Sequence, residues 1–219
     1  MVKKNILNAL PGIEALRKLS QSLAMLDAIL SPEWEYRYYS FDSKWSANEM
    51  MASMRDGSGD GYFILFNQHG AIIKGFAHES SMSPWVSKSE EVWPGILDEV
   101  PGEFQSFLHE PAFSITEATF CIWRRVGDEA WQIGEIDYPA SENDPDGSDQ
   151  MLSILNGDPT AYQEFAESYY EQKIPLLAIK YIYEHNPLTS EIVRLLNQDL
   201  SIDKLPMDIE EIGYPGNAP

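Results

Sequence analysis

Two apolar runs, YFILF (62–66) and AIIKGFAH (71–78), flank the turn-forming segment Asn67–Gly70. Aromatic and branched aliphatic residues dominate both, and Gly70 supplies turn chemistry between them. This arrangement predicts an antiparallel hairpin. The six residues before it, DGSGDG from Asp56 to Gly61, crowd three glycines and two aspartates together. In a phosphate-binding loop the glycines follow a strand and open a helix, so that helix amides meet the anion. Here they precede a strand, no Gly-Lys-Ser/Thr follows, and two carboxylates sit where an anion would rest. DGSGDG is therefore expected to lead the chain into the hairpin rather than to cradle a phosphate.

Around the hairpin the period of the sequence changes several times. In residues 11–31, Ile13, Leu16, Leu19, Leu23, Leu26 and Leu30 recur at three- and four-residue steps behind Pro11, which predicts a helix. WEYRYYSF (34–41) alternates Trp34, Tyr36 and Tyr38 with Glu35 and Arg37, the pattern of a half-buried strand. SANEMMASM (46–54) carries Ser46 and Glu49 at capping-box spacing and reads as a short helix. Further on, GEFQSFLHE (102–110) reads as a helix. SITEATFCIWRRV (114–126) and AWQIGEIDYP (130–139) read as strands joined at Gly127–Glu129.

PASENDPDGSDQ (139–150) is the clearest break in composition. Glu142, Asp144, Asp146 and Gly147 have calcium-loop spacing, but Ser153 stands where the bidentate carboxylate is required. A linker is preferred, with Ser148 capping the next helix. Beyond it DQMLSILN, a helix from Asp158–Pro159, IPLLAIKYIYEH and NPLTSEIVRLLNQDL are read as helical, and LPMDIEEIGYPGNAP as an acidic tail on the surface. The expected fold class is α+β: a mainly antiparallel sheet with flanking helices over residues 1–140, and a helical C-terminal subdomain with the acidic tail over 141–219.

Charge limits the partners. Fifteen Lys and Arg against thirty-five Asp and Glu give a net charge of −20, and from Glu135 onward 17 acidic side chains face 4 basic ones. Such a field repels nucleic-acid backbones and anionic lipid, so neither is expected as a partner, whereas a basic protein would be attracted. No run approaches the ~18 apolar residues of a membrane span. The N-terminal MVKKNILNALPG lacks the uninterrupted apolar core of a secretory signal, and a cytoplasmic location is expected. The single Cys121 lies in the apolar run TFCIW and is read as a buried thiol.

Candidate chemistry is sparse. His69, His78, His109 and His185 include no helical metal pair, and neither a metal nor a cofactor is expected. His109 and His185 fall near expected helix C-termini, where a cationic imidazole would suit the dipole. No catalytic residue is expected. The runner-up site is His78–Glu79, the best acid–base candidate at the exit of a strand, with Arg124. Arg124–Arg125 could clamp a carboxylate but are read as neutralising nearby Glu or Asp. Glu164, Glu167 and Glu171 line one face of the helix after Pro159 and form the candidate binding surface for a basic protein. The row Trp34, Tyr36, Tyr38 could instead stack a sugar or nucleobase.

GSGD followed by YFILFNQHGAIIKGFAHES resembles the central hairpin of the SUKH superfamily of bacterial immunity proteins and glucan-synthesis regulators. The likeness spans about 25 residues and rests on Gly59–Asp60 and His78–Glu79. The Leu-Pro-x-x-Tyr and Asn-Gly-Gly segments usual before that hairpin have no counterpart here. The resemblance implies an antiparallel sheet with flanking helices and a protein-binding role, neutralising a toxin. The functional expectation is a non-catalytic protein-binding module, immunity or regulatory, that recognises a basic protein. The alternatives are an enzyme with a site near His78, Glu79 and Arg124, and a small-molecule or carbohydrate binder.

Overall fold

A computed structural model describes residues 4–89, 91–140 and 143–216. In chain order the helices and strands are α1 (Lys4–Ala9), α2 (Ile13–Leu30), β1 (Tyr39–Ser46), β2 (Glu49–Arg55), β3 (Gly61–Asn67), β4 (Gly70–Phe76), α3 (Pro84–Ser87), α4 (Gln105–His109), β5 (Phe120–Arg125), α5 (Ser148–Met151), α6 (Pro159–Tyr169), α7 (Leu176–Tyr183), α8 (Ser190–Leu196) and α9 (Pro206–Ile212). The fold is α+β, with one five-stranded sheet in the order β1-β2-β3-β4-β5, flanking helices and a helical C-terminal region. The chain forms two compact units, each drawn from two segments: residues 1–13 with 53–153, and 14–52 with 154–219.

In the first unit the predicted hairpin forms as β3 and β4, from Gly61 opposite Phe76 to Asn67 opposite Gly70. The Asn67 carboxamide closes the turn by accepting from the amides of His69 and Gly70. β4 is also paired on its other side with β5, from Gly70 opposite Arg125 to Gly75 opposite Phe120. All seven residues of β4 are consequently buried. Gly75 is required there, because a Cβ would fall 1.9 Å from the Phe120 ring. Of the expected strand 130–139, only a bridge between Trp123 and Gln132 forms. Trp131 is buried and its indole N–H donates to the Pro11 carbonyl.

The second unit holds α2, whose C-terminal half is buried on every side. Two sequence expectations fail here. Residues 46–54 are not a helix: Glu49–Arg55 is a strand, with Ala52 and Met54 buried at alternate positions. The Ser46 hydroxyl donates to the Glu49 carboxylate at 3.1 Å across the turn between β1 and β2, so the capping-box spacing served a hairpin. Residues 34–41 are not one strand either. Trp34–Tyr36 is a 3-10 turn with Trp34 and Tyr36 more than half exposed, and the strand begins only at Tyr39. Arg37 explains this. Its guanidinium donates to the Ser31 and Pro32 carbonyls and pairs with Asp208 at 2.5 Å, which folds the chain back before any strand can start.

The C-terminal helices follow the sequence more closely. Asp158 caps α6 by accepting from Thr160 N, with Pro159 in the first turn. The acidic tail is a correction: Pro206–Ile212 is helical, and Tyr214 is buried with its hydroxyl donating to the Ile182 and Asn186 carbonyls. Ser148 is not the cap of α5. Gly147 holds that position, and the Asp144 carboxylate accepts from the amides of Asp149 and Gln150. Asp146 accepts from Ser148 N, so the two aspartates considered for calcium bind helix amides, while Glu142 lies outside the described residues.

Candidate functional site

Side chains alternate across a sheet, so the register of β3, β4 and β5 decides which of them share a face. Lys74 lies opposite Phe63 on one side and Cys121 on the other, and Gly61 lies opposite Phe76. A cleft of about 330 Å³ opens over this face. Phe63, Lys74 and Phe76 line it from the sheet, and Ala112, Ser114 and Glu117 line it from the 3-10 turns before β5. Arg55 and the loop Gly57–Gly61 complete the wall.

Lys74 is the unusual member. It is 3% exposed, and among the described residues its ammonium has neither a hydrogen bond nor an ion pair. The Phe76 ring offers it partial compensation, with its centroid 5.9 Å from Nζ. Burial brings the ammonium down to about 8, against the pull of the Glu117 carboxylate. Cys121, beside it, is buried and its thiol is pushed up to about 12, so it is a packing residue as expected.

The glycine loop is built from within. Asp56 accepts from the amides of Ser58, Gly59 and Asp60 and from the Ser58 hydroxyl, which fills the backbone nest with the chain's own carboxylate. The amides a phosphate would need are taken. Gly59, at φ 127°, backs onto the His78 ring, where a Cβ would meet it at 3.4 Å.

His78, just past the end of β4, is held by Asp60, which lines the cleft. One carboxylate oxygen lies 2.7 Å from both the His78 backbone nitrogen and Nδ1, and this hydrogen bond raises the imidazole above its ordinary value. Thr119 fixes the strand exit: its hydroxyl accepts from Ala77 N and donates to the Asp146 carbonyl. Glu79 is 90% exposed and 3.9 Å from Nε2, a solvated neighbour. Arg124 does not join them. It sits opposite Ala71, seven residues up β4, or about 23 Å away at strand rise, and its Nε donates to the Asp128 carbonyl.

The other candidates are dispersed. Glu164 is exposed on α6, and Glu171 is exposed with left-handed backbone at φ 53°. Glu167 is engaged internally, pairing with Lys173 at 2.5 Å and accepting from Ile174 N. Tyr38 packs on Phe165 and Tyr169 while Trp34 and Tyr36 face solvent, so no aromatic row forms. His185 bonds the Lys18 carbonyl, and burial lowers its imidazole, the reverse of the cationic helix terminus expected. Among the described residues no group of three or more His, Cys, Asp or Glu could hold a metal ion.

Sequence reasoning singled out Asp60 with His78 but missed Lys74, Glu117 and, in the second unit, Asp27. Asp27 is fully buried; it accepts from the amides of Tyr38 and Tyr39 and from the Tyr162 hydroxyl at 2.7–2.9 Å. Burial nevertheless raises its carboxyl to about 6. Both Lys74 and Asp27 gave a signal, since each is a lone charge inside an apolar run, AIIKGF and LAMLDAIL. No protein-family model, curated protein or solved structure matches this chain.

Proposed function

We propose that the cleft over β3 and β4 binds a small anionic ligand, with Lys74 as its charge partner. The observation that carries this reading is the unpaired ammonium of Lys74, 3% exposed, in the wall of an open cleft. Burying an ammonium without a partner costs several kcal/mol, roughly, and a ligand acid group arriving in the cleft would offset that cost. Arg55 adds a second cation, Phe63 and Phe76 offer apolar surface, and Glu117 and Asp60 accept from donors on the ligand. The volume lies at the small end of the usual range, about 300–1,000 Å³, which favours a compact acid over a nucleotide.

Calorimetric titration with a panel of small carboxylates and phosphates tests this. Saturable binding is expected, weakened at least tenfold by Lys74→Met (about 1.4 kcal/mol). Equal affinity in the variant would remove the reading.

The charge distribution favours a second reading, a protein-binding module of the immunity or regulatory kind. Seventeen acidic against four basic side chains after Glu135, with Glu164 and Glu171 exposed, would steer a basic protein. Binding of a basic probe such as lysozyme should weaken as salt rises and be lost in the double variant Glu164→Lys, Glu171→Lys. Indifference to both would dismiss it.

A further inference from the structure

We infer that Lys74 is a nucleophile that forms an imine with a small aldehyde or keto acid bound in this cleft. The inference rests on the ligand-binding reading above and adds a covalent step to it. An amine reacts with a carbonyl only as the free base, and only where the carbonyl carbon can approach it. Lys74 meets both conditions: its nitrogen has no hydrogen-bond or ion-pair partner among the described residues to withdraw its lone pair, and it lines an open cleft. Burial leaves roughly a tenth of it neutral at pH 7, far more than an exposed lysine.

The cleft also holds a proton carrier. Glu117 lines the same wall. Its carboxylate accepts the proton that the Lys74 ammonium loses. The Nζ lone pair then forms the C–N bond while the carbonyl π pair moves to oxygen, and a proton passes from the now cationic nitrogen to that oxygen to give the neutral carbinolamine. Glu117 returns a proton to that hydroxyl, the C–O bond breaks, water leaves, and the nitrogen lone pair closes the C=N bond. One ammonium and one carbonyl become one protonated imine and one water, with no oxidant or reductant needed. The neighbouring Cys121 does not compete for the carbonyl, because its thiol stays protonated.

Reductive trapping tests the step. The full chain is incubated at pH 7.5 with glyoxylate or pyruvate and cyanoborohydride, then digested and mapped by mass spectrometry. One adduct at Lys74 is expected, formed at least tenfold faster than at Lys173, which is 93% exposed. Glu117→Gln should slow trapping at least tenfold, and lactate, which has the same acid group but no aldehyde or ketone, should bind the native chain without being trapped. Labelling of exposed lysines with Lys74 unmodified overturns the inference. If lactate or pyruvate still binds the native chain and binding fails in Lys74→Met, the charge-partner reading survives that result. If neither acid binds, both fall.

Discussion

Two buried charges carry most of the chemistry at the scale of single residues. Lys74 is held below its ordinary value by burial, at about 8 against 10.5. The unfolded chain therefore binds more protons between those values, and stability should rise as pH climbs from about 8 to 10.5. Lys74→Met should raise stability at pH 7 by about 1–3 kcal/mol and remove the alkaline rise, as read by urea denaturation across pH. Asp27 runs the other way. Its folded value of about 6 lies above the ordinary 3.8, so the folded chain holds the extra proton in that window. Stability should fall by about 3 kcal/mol as pH rises from about 4 to 6. Asp27→Asn keeps an acceptor for the Tyr38 and Tyr39 amides and should flatten this fall. Asp27→Ala removes the acceptor of both amides and of the Tyr162 hydroxyl, and should cost about 2–4 kcal/mol near pH 4, a cost that shrinks as pH rises through 6.

At the scale of elements, local chemistry identified those pieces whose partners lie close in sequence. The β3–β4 hairpin, α2 and the Asp158–Pro159 start of α6 were legible because a turn, a periodicity or a cap lies within the segment itself. Segment 46–54 was not, because Glu, Met and Ala favour a helix and only pairing in the sheet overrides that preference. Segment 34–41 was misread because the residue that ends its turn, Arg37, is held by Asp208, 171 residues away. Close packing within the sheet gives a sharp test. Gly75→Ala drives a methyl into the Phe120 ring and should cost about 1–3 kcal/mol or more. Gly102→Ala meets nothing within 4 Å and should stay within about 0.5 kcal/mol of the native chain. Thermal melts of the two variants compare them directly.

At the scale of the whole molecule the dominant quantity is the net charge of −20. Like charges on one folded chain repel more than on an expanded one, and salt screens that repulsion. The melting temperature at pH 7 should therefore rise by about 2–5 °C between 10 and 200 mM sodium chloride, measured by circular dichroism. An unchanged or falling melting temperature would mean that local ion pairs such as Arg37–Asp208 outweigh the general field. By itself the sequence determined the α+β class, the hairpin, the charge and the inert thiol, because composition and short-range periodicity encode them. Tertiary structure alone decided the candidate site. A lysine in a strand faces water or interior according to what covers that face. Over Lys74 the cover comes from Ala112, Ser114 and Glu117, about forty residues away and brought there only when β5 pairs with β4. The same long-range pairing sets His78 and Arg124 toward opposite ends of one strand, a separation that no spacing along the chain could reveal.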